Sequence, residues 1–320
     1  MAPPRIPLVL ARAMSVRPQA PPRKKTTIQS LHRQRTPISV LTAYDYPTAR
    51  ACSAHPVDIT LVGDSLAQVA LGLPATTALT LDQLIHHARA VARGTTSPLL
   101  VADMPFGTYY TGARDAVRAA VRIVREGAAE AVKLEGGAEV ADTVRALTAV
   151  GIPVMAHVGL LPQRHTALSG YRVQGRTAAT ARPILHAALA LQDAGAFAVV
   201  LEAVPAPLAT YITHRLSVPT IGIGAGSGTS GQVLVWDDVM GTWEGHKAKF
   251  VRRFADVGAE VARGVRGFVG AVSDGSFPDA KESYGMDEGE WERLLEMEGD
   301  QGWVPPAERK IPSGEGSEES

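Results

Sequence analysis

Along most of this chain, short apolar runs rich in β-branched residues alternate with Ala-, Leu- and Arg-rich stretches of helical period. Eight runs read as strands: ISVLTAYD (38–45), ITLVGDS (59–65), LLVADMP (99–105), AVKLEGG (131–137), VMAHVGL (154–160), VVLEAVP (199–205), TIGIGAG (220–226) and QVLVWDD (232–238). Helical stretches fall between most of them: LDQLIHHARAVARG, ARDAVRAAVRIVREG, EVADTVRALTAVG, ATARPILHAALALQDAG and PLATYITHRLS. A longer one, AKFVRRFADVGAEVARGVRGFVGAV, follows the eighth run. Gly94, Gly127, Gly151 and Gly195 close several helices, as expected of left-handed stops before the next strand.

Near-continuous apolar strands imply a parallel sheet buried on both faces. Alternation with helices makes βαβ units, and eight of them close a (β/α)8 TIM barrel. The last two strands are separated by too few residues for a helix, so the seventh unit has lost its own. The competing architecture is an open doubly wound sheet. Against it, no G-x-G-x-x-G opens a helix: in GIGAGSGTSG (222–231) Ser227 and Thr229 break the first two frames, and the one that matches, 226–231, runs into the eighth strand run.

In a barrel the chemistry sits at the C-terminal ends of the strands. Those positions read Asp45, then Asp64 and Ser65, Asp103, Lys133 with Glu135, His157, and Glu202. One ionisable residue ending an apolar run is unremarkable, but six strands sharing the feature form a candidate site, because a bare buried charge costs several kcal/mol. Asp64, Asp103 and Glu135 are hard oxygen donors suited to Mg²⁺ and not to zinc. Each could instead cap the following loop, and for Asp45, followed by Tyr46, Pro47 and Thr48, capping is the better reading. Lys133 and Glu135 share a strand face, which would place the Lys133 ammonium to hold a substrate carboxylate with help from Ser65. Glu202, flanked by Val199, Val200, Leu201, Ala203 and Val204, is expected to have a raised pKa and to act as a base, or else to pair with an Arg across the barrel. His86, His87 and His186 lie in helix patterns and read as packing or solvent-facing residues, and Cys52 as a small buried hydrophobe. The 159–176 connection reads as a lid or binding loop. The glycines of 222–228 allow either close approach of a flat ligand or tight packing.

Composition narrows the class. The 320 residues are 45% hydrophobic and 20% charged, with Lys and Arg balancing Asp and Glu, so nothing global points to nucleic acid or an anionic membrane. A single cysteine excludes an internal disulfide, and no run reaches the roughly 20 apolar residues needed to span a bilayer. Residues 1–25 lie in an acid-free, basic, proline-containing start that reads as a mitochondrial transit peptide or a disordered tail. Residues 26–285 then form the catalytic barrel, and 286–320 an acidic, mostly disordered tail.

The motifs TAYD (42–45), VGDSL (62–66), ADMPF (102–106), VKLEGG (132–137), HVGLLPQ (157–163), GYRVQGR (170–176), LEAVP (201–205) and IGIGAG (221–226) resemble, in order, those of the ketopantoate hydroxymethyltransferase family. The resemblance implies transfer of a hydroxymethyl group from 5,10-methylenetetrahydrofolate to 3-methyl-2-oxobutanoate, giving 2-dehydropantoate for pantothenate synthesis. It implies Asp64 and Asp103 as Mg²⁺ ligands completed by Glu135, Ser65, Asp103 and Lys133 as contacts to the 2-oxo acid, and Glu202 as proton acceptor. His157 would position water or the metal shell. It further implies a homo-oligomer, a decamer in similar proteins, and for fungal relatives mitochondrial residence. Asp237-Asp238 departs from the His-Asp frequent in bacterial relatives, leaving the role of that pair open. Two rivals remain: a Mg²⁺-dependent 2-oxo-acid lyase or mutase of the isocitrate-lyase type, and a non-catalytic barrel scaffold. The absence of any Cys beyond residue 52 counts against the first.

Overall fold

The computed structural model describes residues 24–303. Residues 1–23, which hold nearly all of the expected transit peptide, and the end of the acidic tail lie outside them.

Eight parallel strands close on themselves in chain order: β1 (Ile38–Thr42), β2 (Ile59–Val62), β3 (Leu99–Asp103), β4 (Ala131–Glu135), β5 (Val154–Gly159), β6 (Ala198–Glu202), β7 (Thr220–Ile223) and β8 (Gly231–Leu234). β8 pairs with β1 through Val40↔Val233 to seal the ring. Each strand starts within a residue of its expected position and stops one to four residues earlier. The polar C-terminal residues of each run leave the ladder to build the barrel mouth.

The helices are α1 (Lys25–Arg33), α2 (Tyr46–Ala54), α3 (Leu66–Val69), α4 (Leu81–Gly94), α5 (Ala113–Gly127), α6 (Ala141–Ala149), α7 (Ala178–Asp193), α8 (Ala206–Arg215), α9 (Trp236–Met240), α10 (Val257–Asp274) and α11 (Glu288–Glu298). β7 and β8 are joined without a helix, as their spacing requires. Asp45 caps α2 by accepting from Thr48 N–H at 2.8 Å, and Cys52 is buried. Gly151 and Gly195 adopt positive φ. At the other two expected stops the outcome differs: Ala128 takes the left-handed turn after Gly127, while Gly94 stays helical and must be glycine since a Cβ there would lie 2.8 Å from that of Ala49 on α2.

Strand alternation divides the core. Inward residues Ile38, Val40, Ile59, Leu99, Val101, Ala131, Met155, Val200, Ile221 and Val233 fill the barrel, with Ile28 of α1 belonging to the same cluster. Outward residues such as Val132, Leu134, Val199 and Leu201 pack beneath the helices. The inward parity continues upward to Thr42, Asp103, Lys133, Glu135, His157 and Glu202, so one pattern that buries the core also aims the polar groups into the mouth.

The chain divides into two compact units: a barrel unit ending at Val239 with Trp243–Phe254 added, and a second unit of Met240–Thr242 with the residues from Ala255 onward. In the second unit α10 begins at Val257, later than its sequence pattern implies. The residues ahead of it serve the barrel unit: Val251 is buried, and Phe250 lines a cavity. α11 falls within the acidic stretch and is capped by Asp287.

Candidate active site

The ends of β2 to β6 converge on a cavity of about 190 Å³ lined by Asp64, Ser65, Asp103, Lys133, Glu135, His157 and Glu202. All seven residues expected at the site are therefore together.

Asp103 stands at the centre of their bonding. Its Oδ1 lies 2.6 Å from Lys133 Nζ in a buried ion pair, and its Oδ2 accepts from Asp64 N–H at 2.9 Å. Lys133 thus pairs with a neighbouring carboxylate and still has ammonium protons for a further anion. Burial alone would lower the Lys133 pKa, but Asp103, Asp64 and Glu135 overcome it and raise it. Asp64 goes the other way for an acid. Burial first, then the charge of Asp103, push its carboxyl up to about 7 against the opposing pull of Lys133 and Gln163. Glu135 is likewise raised, by burial and then by Asp64. The mouth holds more acid than its single lysine neutralises, an arrangement that favours a further cation.

His157 lies between two carboxylates. Its Nε2 is 3.3 Å from Glu202 Oε2 and its Nδ1 3.8 Å from Glu135 Oε1, although neither contact has hydrogen-bond geometry. The partner of Glu202 is this imidazole and not an arginine. Glu202 is also followed by a constrained backbone. Ala203 sits at φ 45°, a region costing a non-glycine residue about 1–2 kcal/mol, and is held there by Ala203 N–H to Ile223 O and Gln174 N–H to Ala203 O, both 2.8 Å. Gly159 (φ +99°) is required opposite, since a Cβ would meet Glu202 O at 2.3 Å.

Four side chains outside the expected set organise the site. Gln163, buried, donates through Nε2 to Asp64 Oδ2 at 2.8 Å and to Met104 O at 3.0 Å. Its Oε1 accepts from Tyr109 Oη at 2.6 Å, and its backbone N–H donates to Glu135 Oε2 at 3.0 Å. Ser65 Oγ lies 2.7 Å from Tyr44 Oη, and Thr42 Oγ1 donates to that same hydroxyl at 2.7 Å. The available signals were Gln163 ending HVGLLPQ and Tyr44 within TAYD. Nothing in the local pattern marked Tyr109.

The 159–176 loop contributes Tyr171 to the cavity. The glycines of 222–228 meet protein: a Cβ on Gly224 would lie 2.7 Å from Phe250 Cδ1 and one on Gly226 2.5 Å from Ala206 Cβ. Both are tightly packed, and both also line a second cavity.

Mg²⁺ binds through one or two carboxylates and keeps water or substrate oxygens for the rest. Among the described residues no three His, Cys, Asp or Glu side chains form a ready metal cluster. Asp64 and Asp103 nevertheless fit such an ion. They are adjacent, buried and mutually repelling, and Asp64 Oδ1 accepts no hydrogen bond among the described residues.

Residues 23–280 match the ketopantoate hydroxymethyltransferase family. The chain is 51% identical over 259 residues to 3-methyl-2-oxobutanoate hydroxymethyltransferase of Oleidesulfovibrio alaskensis, covering 81% of this chain and 90% of that one. It is 46% identical over 271 residues to the Emericella nidulans protein of the same name, covering 83% and 78%. Among solved structures it resembles phosphonopyruvate hydrolase (TM-score 0.54, 16% identity, covering 88% of this chain and 96% of that one). It also resembles 2,3-dimethylmalate lyase, described as a PEP mutase/isocitrate lyase superfamily member (TM-score 0.52, 18% identity, covering 87% and 98%). At such identities the latter two share the fold alone.

Proposed function

Since the chain belongs to the ketopantoate hydroxymethyltransferase family, we propose that its barrel mouth enolises a branched 2-oxo acid and presents the carbanion to a one-carbon donor. The activity is hydroxymethyl transfer to 3-methyl-2-oxobutanoate in pantothenate biosynthesis. The lyase reading has only distant relatives behind it, and a non-catalytic scaffold does not accord with 51% identity to a named transferase.

The observation carrying the mechanism is the placement of Glu202 in one cavity with Asp64, Asp103 and Lys133. Asp64 and Asp103 would hold Mg²⁺, with Glu135 completing the set. When bound, the ion supplies Lewis-acid stabilisation of an enolate oxygen. Lys133 and Ser65 bind and orient the substrate carboxylate. Glu202 takes the C3 proton, and His157, 3.3 Å away, positions water or the metal shell beside it. C3 then forms a bond to the methylene carbon of 5,10-methylenetetrahydrofolate, and water supplies the hydroxyl of 2-dehydropantoate as tetrahydrofolate leaves.

The finer setting is part of the same proposal. α10 exposes Val257, Val261, Val265, Phe268, Val269 and Val272 along one face, which supports assembly with further copies of this chain, the decamer of similar proteins included. The basic start favours a mitochondrial address, and 26–285 is the catalytic segment. Product formation from 3-methyl-2-oxobutanoate and 5,10-methylenetetrahydrofolate, with and without EDTA, tests the reading. Turnover indifferent to chelation would remove the metal from it.

A further inference from the structure

A second cavity of about 840 Å³ opens beside the first and is larger than a small 2-oxo acid needs, which the smaller space suits. The two share a wall that includes Ser65, Tyr171, Glu202, Val235, Asp238 and Phe250. The donor's methylene must reach the carbon that Glu202 deprotonates, so the donor's ring lies at this wall. We propose that Asp238 recognises the N3–H and 2-amino edge of the donor's pterin, an inference that rests on the donor being a reduced folate.

That edge is a planar pair of N–H donors, which a carboxylate matches with two parallel hydrogen bonds. The carboxylates lining the larger cavity are Glu202 and Asp238. Glu202 faces His157 at 3.3 Å and is committed to the proton. Asp238, half-buried on α9, accepts no hydrogen bond among the described residues, and its basic neighbour Arg253 donates instead to Trp243 O at 3.0 Å. Burial and then Asp237 raise the Asp238 pKa, as befits a carboxylate whose donor partner comes from outside the chain. Tyr171, Phe250 and Trp243 offer flat apolar faces for the ring. Arg172 and Lys249 line the larger cavity and not the smaller, which places positive charge where the donor's carboxylate tail would run.

The test uses the purified full-length protein and tetrahydrofolate, with binding followed by calorimetry, and compares wild type with Asp238→Asn. Loss of charge-assisted pairing should weaken tetrahydrofolate binding about ten- to a hundredfold, while the KM for 3-methyl-2-oxobutanoate moves less than about threefold. A tetrahydrofolate analogue carrying methyl in place of the 2-amino group keeps only N3–H for Asp238, so its binding should fall by clearly less than that of tetrahydrofolate between wild type and variant. Unchanged tetrahydrofolate affinity in Asp238→Asn would overturn the assignment, as would an equal loss for the analogue or a parallel loss for the 2-oxo acid. If the wild type fails to bind tetrahydrofolate at all, the reduced-folate donor itself falls, a result distinct from failure of Asp238 alone.

Discussion

Gln163 Nε2 donates to Asp64 Oδ2 at 2.8 Å, joining residues 99 positions apart. The same amide group also donates to Met104 O and accepts from Tyr109 Oη, so it ties the ends of β2 and β3 and the β3–α5 connection to one loop. Gln163→Ala would leave these buried partners unpaired. The expected cost is about 1–3 kcal/mol for each unsatisfied group, seen as a lower midpoint in thermal unfolding. Mn²⁺ titration by electron paramagnetic resonance should also show weaker ion binding, because Asp64 loses its orienting contact. Unchanged unfolding and unchanged Mn²⁺ affinity would contradict this role.

Asp64 should make the metal-free protein less stable at higher pH. Its carboxyl is raised from an ordinary value of 3.8 to about 7. A raised acid favours the folded state below its unfolded pKa and loses that advantage as pH rises through the folded value. Between about pH 4 and 7 the loss amounts to a few kcal/mol at most. Asp64→Asn removes it, so in EDTA the variant's melting temperature should gain on wild type as pH rises from 5 to 8. A difference that stays flat over that range would show that Asp64 ionises without penalty.

Most of this architecture was legible from period alone. The βα alternation and the missing helix between β7 and β8 follow from spacing, and strand parity aims Lys133, Glu135, His157 and Glu202 inward. What stayed hidden depended on contacts far apart in sequence. The environment of Glu202 reads as purely apolar in sequence because His157, whose imidazole lies 3.3 Å away, sits on another strand. Gln163 and Tyr109 reach the site from loops whose paths no periodicity encodes. α1 contributes Ile28 to the barrel core from a segment whose basic composition dominated its reading, and Gly94 serves a close helix approach where a turn was expected.

The exposed face of α10 should be covered by another copy of the chain. Val265 and Phe268 are 58% and 59% exposed on adjacent turns. Phe268→Glu with Val265→Glu should lower the assembly's mass in sedimentation equilibrium, where the wild type is expected as a multiple of 33.7 kDa. A wild type that sediments as a monomer would leave that face without its proposed partner.

The most direct measurement is the loss of the C3 proton signal of 3-methyl-2-oxobutanoate in D₂O with Mg²⁺, followed by NMR for wild type and Glu202→Gln. Wild type should exchange this proton, and Glu202→Gln should slow exchange by roughly 10²–10⁴-fold while the 2-oxo acid still binds. Exchange at the wild-type rate in Glu202→Gln would contradict Glu202 as the base.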